Sequence, residues 1–120
     1  ISARLFYFII IEEPNSTLTI NGSISKNIVK PSVYPYNVTD KDYTILSEGT
    51  INLPTPSNSV DFTENNVGRI LVIVNDKSTA PFSIINGSIK HMGVVSTSFV
   101  FNNTTVSIVL QSDGVNWIII

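Results

Sequence analysis

Cysteine is missing from this 120-residue chain, and methionine, histidine and tryptophan occur once each. Without cysteine there are no disulfide staples, and the redox compartment leaves no trace in the sequence. A zinc site would have to join His91 to carboxylates, and none cluster convincingly for it. His91 therefore reads as a loop residue. Charge is scarce as well: 13% of residues are charged and the net charge is −2. A nucleic-acid partner held through phosphates needs a basic stripe, which this composition does not supply. The six glycines are dispersed as single turn formers, with no phosphate-binding loop and no nucleophile elbow. The carboxylates are Glu12, Glu13, Asp40, Asp42, Glu48, Asp61, Glu64, Asp76 and Asp113. They fall mostly in turns and loops, where solvated acids belong, and Asp40, Asp42 and Asp61 lack calcium-loop spacing. A non-enzymatic protein with no cofactor and no metal is expected.

Long apolar runs are absent too. Residues 1–11 read ISARLFYFIII, shorter than the roughly 20 apolar residues a membrane helix needs. The stretch also lacks the charged start and cleavage site of a signal peptide. A buried strand is expected there, and no transmembrane segment. Because no initiator methionine is present, a fragment or processed product is expected.

What is present is β-rich. Hydrophobic residues make up 42% of the chain, dominated by Ile, Val, Phe and Tyr, which pack well on pleated sheets. No stretch carries a helical period. Strands are expected over residues 4–11, 17–20, 23–29, 43–46, 50–53, 68–75, 82–85, 94–101, 104–110 and 115–120. Residues 88–92 are ambiguous. Tight turns are expected at Asn21–Gly22, Ser47–Gly49, Asn86–Gly87, Asn102–Asn103 and Ser112–Gly114. Residues 30–37 hold Pro31 and Pro35 and read as an extended connection or sheet edge. Val60 and Phe62 would anchor the polar loop 57–66. The nearly unbroken apolar run 70–74 reads as a central strand buried on both faces. One domain over residues 1–120 is expected, an antiparallel β-sandwich with jelly-roll character.

Tyr34, Tyr36 and Tyr43 are the candidates for a sugar-binding platform; covering a core edge is the plainer use for such residues. The acceptor pattern N-x-S/T occurs at Asn15, Asn21, Asn37, Asn86, Asn102 and Asn103, mostly at expected turns. Arg69 opens a very apolar strand, so its head has to reach the rim or meet an acid. An ion pair is expected, with an intersubunit partner such as Asp61 or Glu64 as the sharper hypothesis. So low a charge density points to surface covered by partner subunits or glycans, or else to a polar surface of Ser, Thr and Asn.

Three short elements carry a family resemblance over residues 43–120. The first is Thr50, Asn52, Leu53 and Pro54; the second Gly68, Arg69, Ile70, Ile73 and Asn75; the third Ser112, Asp113, Gly114, Asn116 and Trp117. The set resembles small β domains of virus fibres, phage tail fibres and capsid-associated surface proteins of large DNA viruses. Asn52 departs from the hydroxyl residue usual before the leucine, and residues 1–42 match nothing in the pattern. The resemblance implies a virion-surface protein, commonly a homotrimer, that works in assembly or host attachment rather than catalysis. Its partners would be capsid or fibre-shaft proteins and a host glycan or receptor, with no nucleic acid. The competing readings are a carbohydrate-binding module and an extracellular adhesion domain.

Overall fold

The computed structural model describes residues 21–77 and 82–120. The expected strands at 4–11 and 17–20, and the acceptor site at Asn15, lie outside the described residues. The described residues form nine strands: β1 (Ile28–Val29), β2 (Tyr36–Asn37), β3 (Thr44–Ser47), β4 (Ile51–Asn52), β5 (Ile70–Asn75), β6 (Phe82–His91), β7 (Val94–Phe101), β8 (Ser107–Ser112) and β9 (Trp117–Ile119). They join one curled, mixed sheet in the order β1-β3-β5-β8-β9-β6-β4-β2, with β7 on β6.

The all-β expectation is met, but the pairing departs from an antiparallel sandwich. The first six strands alternate between two stacks. β1, β3 and β5 lie in parallel register, with Ile28 beside Thr44 and Thr44 beside Val72. β2, β4 and β6 do the same, with Tyr36 beside Ile51 and Ile51 beside Ile84. The chain thus winds around the core and returns to the same stack one turn later. β8 and β9 bridge the stacks: β8 is antiparallel to β5 and β9, and β9 runs parallel to β6.

Two expected hairpins are replaced by other geometry. Around Ser47–Gly49 the chain turns a corner from β3 into β4, which lies in the opposite stack. Buried Ser47 fixes that corner: its Oγ donates to the Gly49 carbonyl and accepts the Gly49 N–H. Gly49 lies against Tyr34, so close that an added Cβ would sit 2.6 Å from the ring. At Asn86–Gly87 the chain runs straight on within β6. Asn86 adopts a left-handed φ of 61°, and the β6–β7 register shifts between Ile85 and Ile89, a bulge rather than a turn. Phe82 and Ile84 are buried before it and Ile89 after it, so the inward side passes from even to odd positions. The reversal comes later, at Met92–Gly93, both with positive φ, the two-residue turn that suits strand twist. His91 is accordingly the exposed last residue of β6, not a loop residue, and meets the Phe99 ring edge-on.

The core lies inside the curl: Ile45, Leu71 and Ile73 from one stack, Ile51, Leu53 and Ile84 from the other, with Leu110 and Trp117 from the bridge. The central apolar run is buried on one face only. Leu71 and Ile73 are fully buried, whereas Ile70, Val72 and Val74 are half-exposed, because among the described residues the single curled sheet has no second layer outside it. Val60 and Phe62 do not anchor their loop; both point into solvent.

Candidate functional site

Several residues of the three short sequence elements meet in space. Trp117 is completely buried, and its indole Nε1–H donates to the Pro54 carbonyl at 2.8 Å, tying the third element to the first. Gly87 lets the β6 backbone into this joint, since a Cβ there would lie 2.9 Å from Leu53 and 3.4 Å from Trp117. Gly68 and Arg69 exchange backbone hydrogen bonds with Ser112, tying the second element to the third. The Ser112 hydroxyl, buried, donates to Asn66. Asp113 accepts the N–H groups of Val115 and Asn116, which holds its carboxyl below the usual aspartate value. Gly114, at φ +89°, completes that turn. Asn116 accepts from Ser88 Oγ. Asn75 clamps the 102–105 turn by donating to the carbonyls of Asn102 and Thr105, and accepts the Lys77 N–H. These side chains suture the fold.

The tyrosines separate in role. Tyr34 packs its ring on Gly49, and its hydroxyl accepts the Glu48 N–H. Tyr36 donates to Asp42 at 2.7 Å; burial, then this bond, pushes its hydroxyl pKa up. Tyr43 lines an open cleft, with the Lys26 ammonium 5.2 Å from its ring centre. Tyr34 and Tyr36 do not line that cleft.

Arg69 stands where two clefts meet. Its Nη2 donates to the carbonyls of Thr39 and, at 3.1 Å, Asp42, so among the described residues it is held by backbone oxygens rather than by a carboxylate contact. Burial lowers its pKa from the ordinary arginine value, while Asp42 and Asp40 nearby oppose that shift. Guanidinium stays charged throughout the working range. One cleft, of about 440 Å³, runs past Asp40, Pro54, Thr63, Glu64 and Asn65. The other, of about 400 Å³, is lined by Lys26, Asp40, Asp42 and Tyr43. Arg69 and Asp40 border both. Asp42 is buried, and its Oδ2 is already occupied by Tyr36 and the Thr39 N–H. Asp61 accepts from the Thr63 hydroxyl and N–H, which lowers its pKa. Among the described residues no three acids or histidines gather as metal ligands, and the one ion pair is Lys30–Asp76. Lys26 carried no sequence signal for this cleft, and Asp40 and Asp42 of the 39–42 turn stood out only as acids weighed for calcium; the winding of the chain brings them to Arg69.

A second exposed feature is the β6–β7 ribbon. β7 pairs with β6 alone; among the described residues nothing pairs with its outer edge. It carries no charged side chain, and Val94, Val95 and Val100 are all more than half exposed. The acceptor-pattern residues Asn21, Asn37, Asn86, Asn102 and Asn103 are exposed as well. Asn37 and Asn86 both bond to Asn52, forming an amide ladder across β2, β4 and β6. Among the described residues no helix is long and apolar enough to cross a membrane. Comparison with family models, with curated proteins and with solved structures found no match for this chain.

Proposed function

We propose that this chain is a non-catalytic structural module of a virion surface, in a fibre, spike or minor capsid position, that associates with copies of itself. The observation that carries this reading is the outer edge of β7: eight residues long, uncharged, unpaired among the described residues and flanked by exposed valines. Long exposed edges of this kind are blunted in monomeric proteins by lysine, proline or a covering element, because they template further pairing. A second copy meets both needs of such an edge, supplying backbone partners for the strand and apolar cover for its side chains. Low charge density removes the repulsion that would oppose the contact. The resemblance in residues 43–120 supplies the virion setting and the threefold number, with attachment to a host receptor as the companion role.

Light scattering over a range of concentrations tests this. The expected result is a stable oligomer, three copies by the resemblance. Val95→Lys, which sets a charge on the free edge, should shift it towards monomer without lowering the unfolding midpoint. A wild-type chain that stays monomeric at every concentration overturns self-association.

A further inference from the structure

We infer that the paired clefts around Arg69 form a binding site for a neutral carbohydrate, engaged through a vicinal diol held between Asp40 and Arg69. This goes beyond the self-association reading and uses different residues. The argument begins with hydrogen-bonding capacity. Arg69 has five N–H donors, and its fixed bonds all leave from Nη2; among the described residues Nε and Nη1 have no partner. The exposed Asp40 carboxylate accepts no hydrogen bond from a described residue, although it is close enough to favour the charge on Arg69. Donor and acceptor therefore border the same two clefts without closing on each other as an ion pair. Two adjacent hydroxyls match that arrangement: one donates to Asp40 while its neighbour accepts from Arg69. Both contacts are charge-assisted, the stronger kind.

The guanidinium is already oriented by two carbonyls, so little freedom is lost when a ligand binds. Tyr43 supplies the apolar ring face that sugar C–H groups need, once the flexible Lys26 side chain moves off it. The charge pattern selects against anions: Asp40 and Glu64 flank Arg69 in one cleft, and Asp40 and Asp42 offset Lys26 and Arg69 in the other. A phosphate or sialic acid would meet carboxylates on either side. A neutral hexose meets donors and acceptors of both signs.

The test is a backbone amide NMR titration of the intact chain with methyl glucoside, methyl galactoside and methyl mannoside, alongside sialyllactose and inorganic phosphate. The expected result is shifts confined to residues 39–43 and 63–69 with at least one neutral glycoside. Asp40→Ala, a change at an exposed turn, should weaken that binding about tenfold, as loss of a hydrogen bond to a charged group does. Tyr43→Ala should weaken it too. The proposal is overturned by no shift with any neutral glycoside, by shifts that survive Asp40→Ala, or by shifts produced only by sialyllactose or phosphate, which would make the clefts an anion site. Light scattering on the same samples reports self-association separately, so either reading can fail alone.

Discussion

The wound half of the molecule and the β6–β7 ribbon place order and burial in opposite ways. In the wound half the strands are short, β1, β2 and β4 having two residues each, yet Ile51 in β4 is completely buried. The backbone there is held largely by corners and side-chain bonds, such as Ser47 on Gly49 and Asn66 on Ser57 and Thr55. The ribbon has the two longest strands and a regular turn, but most of β7 lies in solvent. Strand length is therefore no guide to the core. Long-range contacts make the core, to which the ribbon's base gives Phe82, Ile84, Ile89 and Phe101, while its tip and most of β7 stand off it. Stability should concentrate in the first region and association in the second.

The largest break in that contrast comes at the joint where the wound half meets the bridge. Trp117→Ala removes a fully buried ring and orphans its bond to Pro54, and should cost about 3–5 kcal/mol in urea denaturation. An equivalent truncation on the ribbon, Val95→Ala, should fall within about 0.5 kcal/mol, since that side chain is exposed. Comparable losses at the two positions would show that the exposed tip of the ribbon is part of the cooperative core.

Acid offers a gentler probe of the loop-held backbone. The carboxyls of Asp61 and Asp113 are both held below the ordinary aspartate value by hydrogen bonds from neighbouring residues. Their contribution is fully present above the unfolded aspartate pKa of about 3.9 and is lost as pH falls through the lower folded values. The denaturation midpoint should therefore drop below about pH 4, and Asp113→Asn should flatten part of that decline. An unchanged pH slope in Asp113→Asn would mean that its turn does not help to hold the β8–β9 bridge.

The smallest effect is expected at the ribbon tip. Met92 adopts a left-handed φ of 51° beside Gly93, a conformation asparagine accepts more easily than methionine. Met92→Asn should stabilise the chain by less than about 1 kcal/mol and slow amide exchange near the β6–β7 tip, leaving core amides unchanged. Slower exchange across the whole core would instead couple the ribbon to the fold.

Much of the strand content was legible because alternation and turn chemistry are local. β7 matches the expected 94–101, and β5 lies within the expected 68–75. What could not be read was partnership. Asn86–Gly87 has the composition of a hairpin turn, yet the approach of Leu53 and Trp117 to Gly87 makes it a bulge. Ser47–Gly49 looks like a reversal, yet β4 finds its partners in β2 and β6 rather than β3. Of the site, Arg69 and Tyr43 stood out in sequence. Lys26 did not, and Asp40 stood out only as one of three acids weighed for calcium, because the cleft depends on segments brought together by a full turn of the winding.

That winding has a kinetic consequence. None of the described strands β1 to β5 pairs with a strand next to it in sequence, so that part of the fold cannot zip up from local hairpins. Each rung must wait for a segment many residues away, and closing such loops costs entropy before any contact repays it. The β6–β7 hairpin is the one long local pairing among the described strands, and so the natural place for order to begin. The earlier strands would then be laid onto β6 from the C-terminal side backwards, β4 before β2. During synthesis this chain should remain largely unfolded until its last third has emerged, and it should refold slowly for its size, in the millisecond-to-second range typical of non-local β topologies.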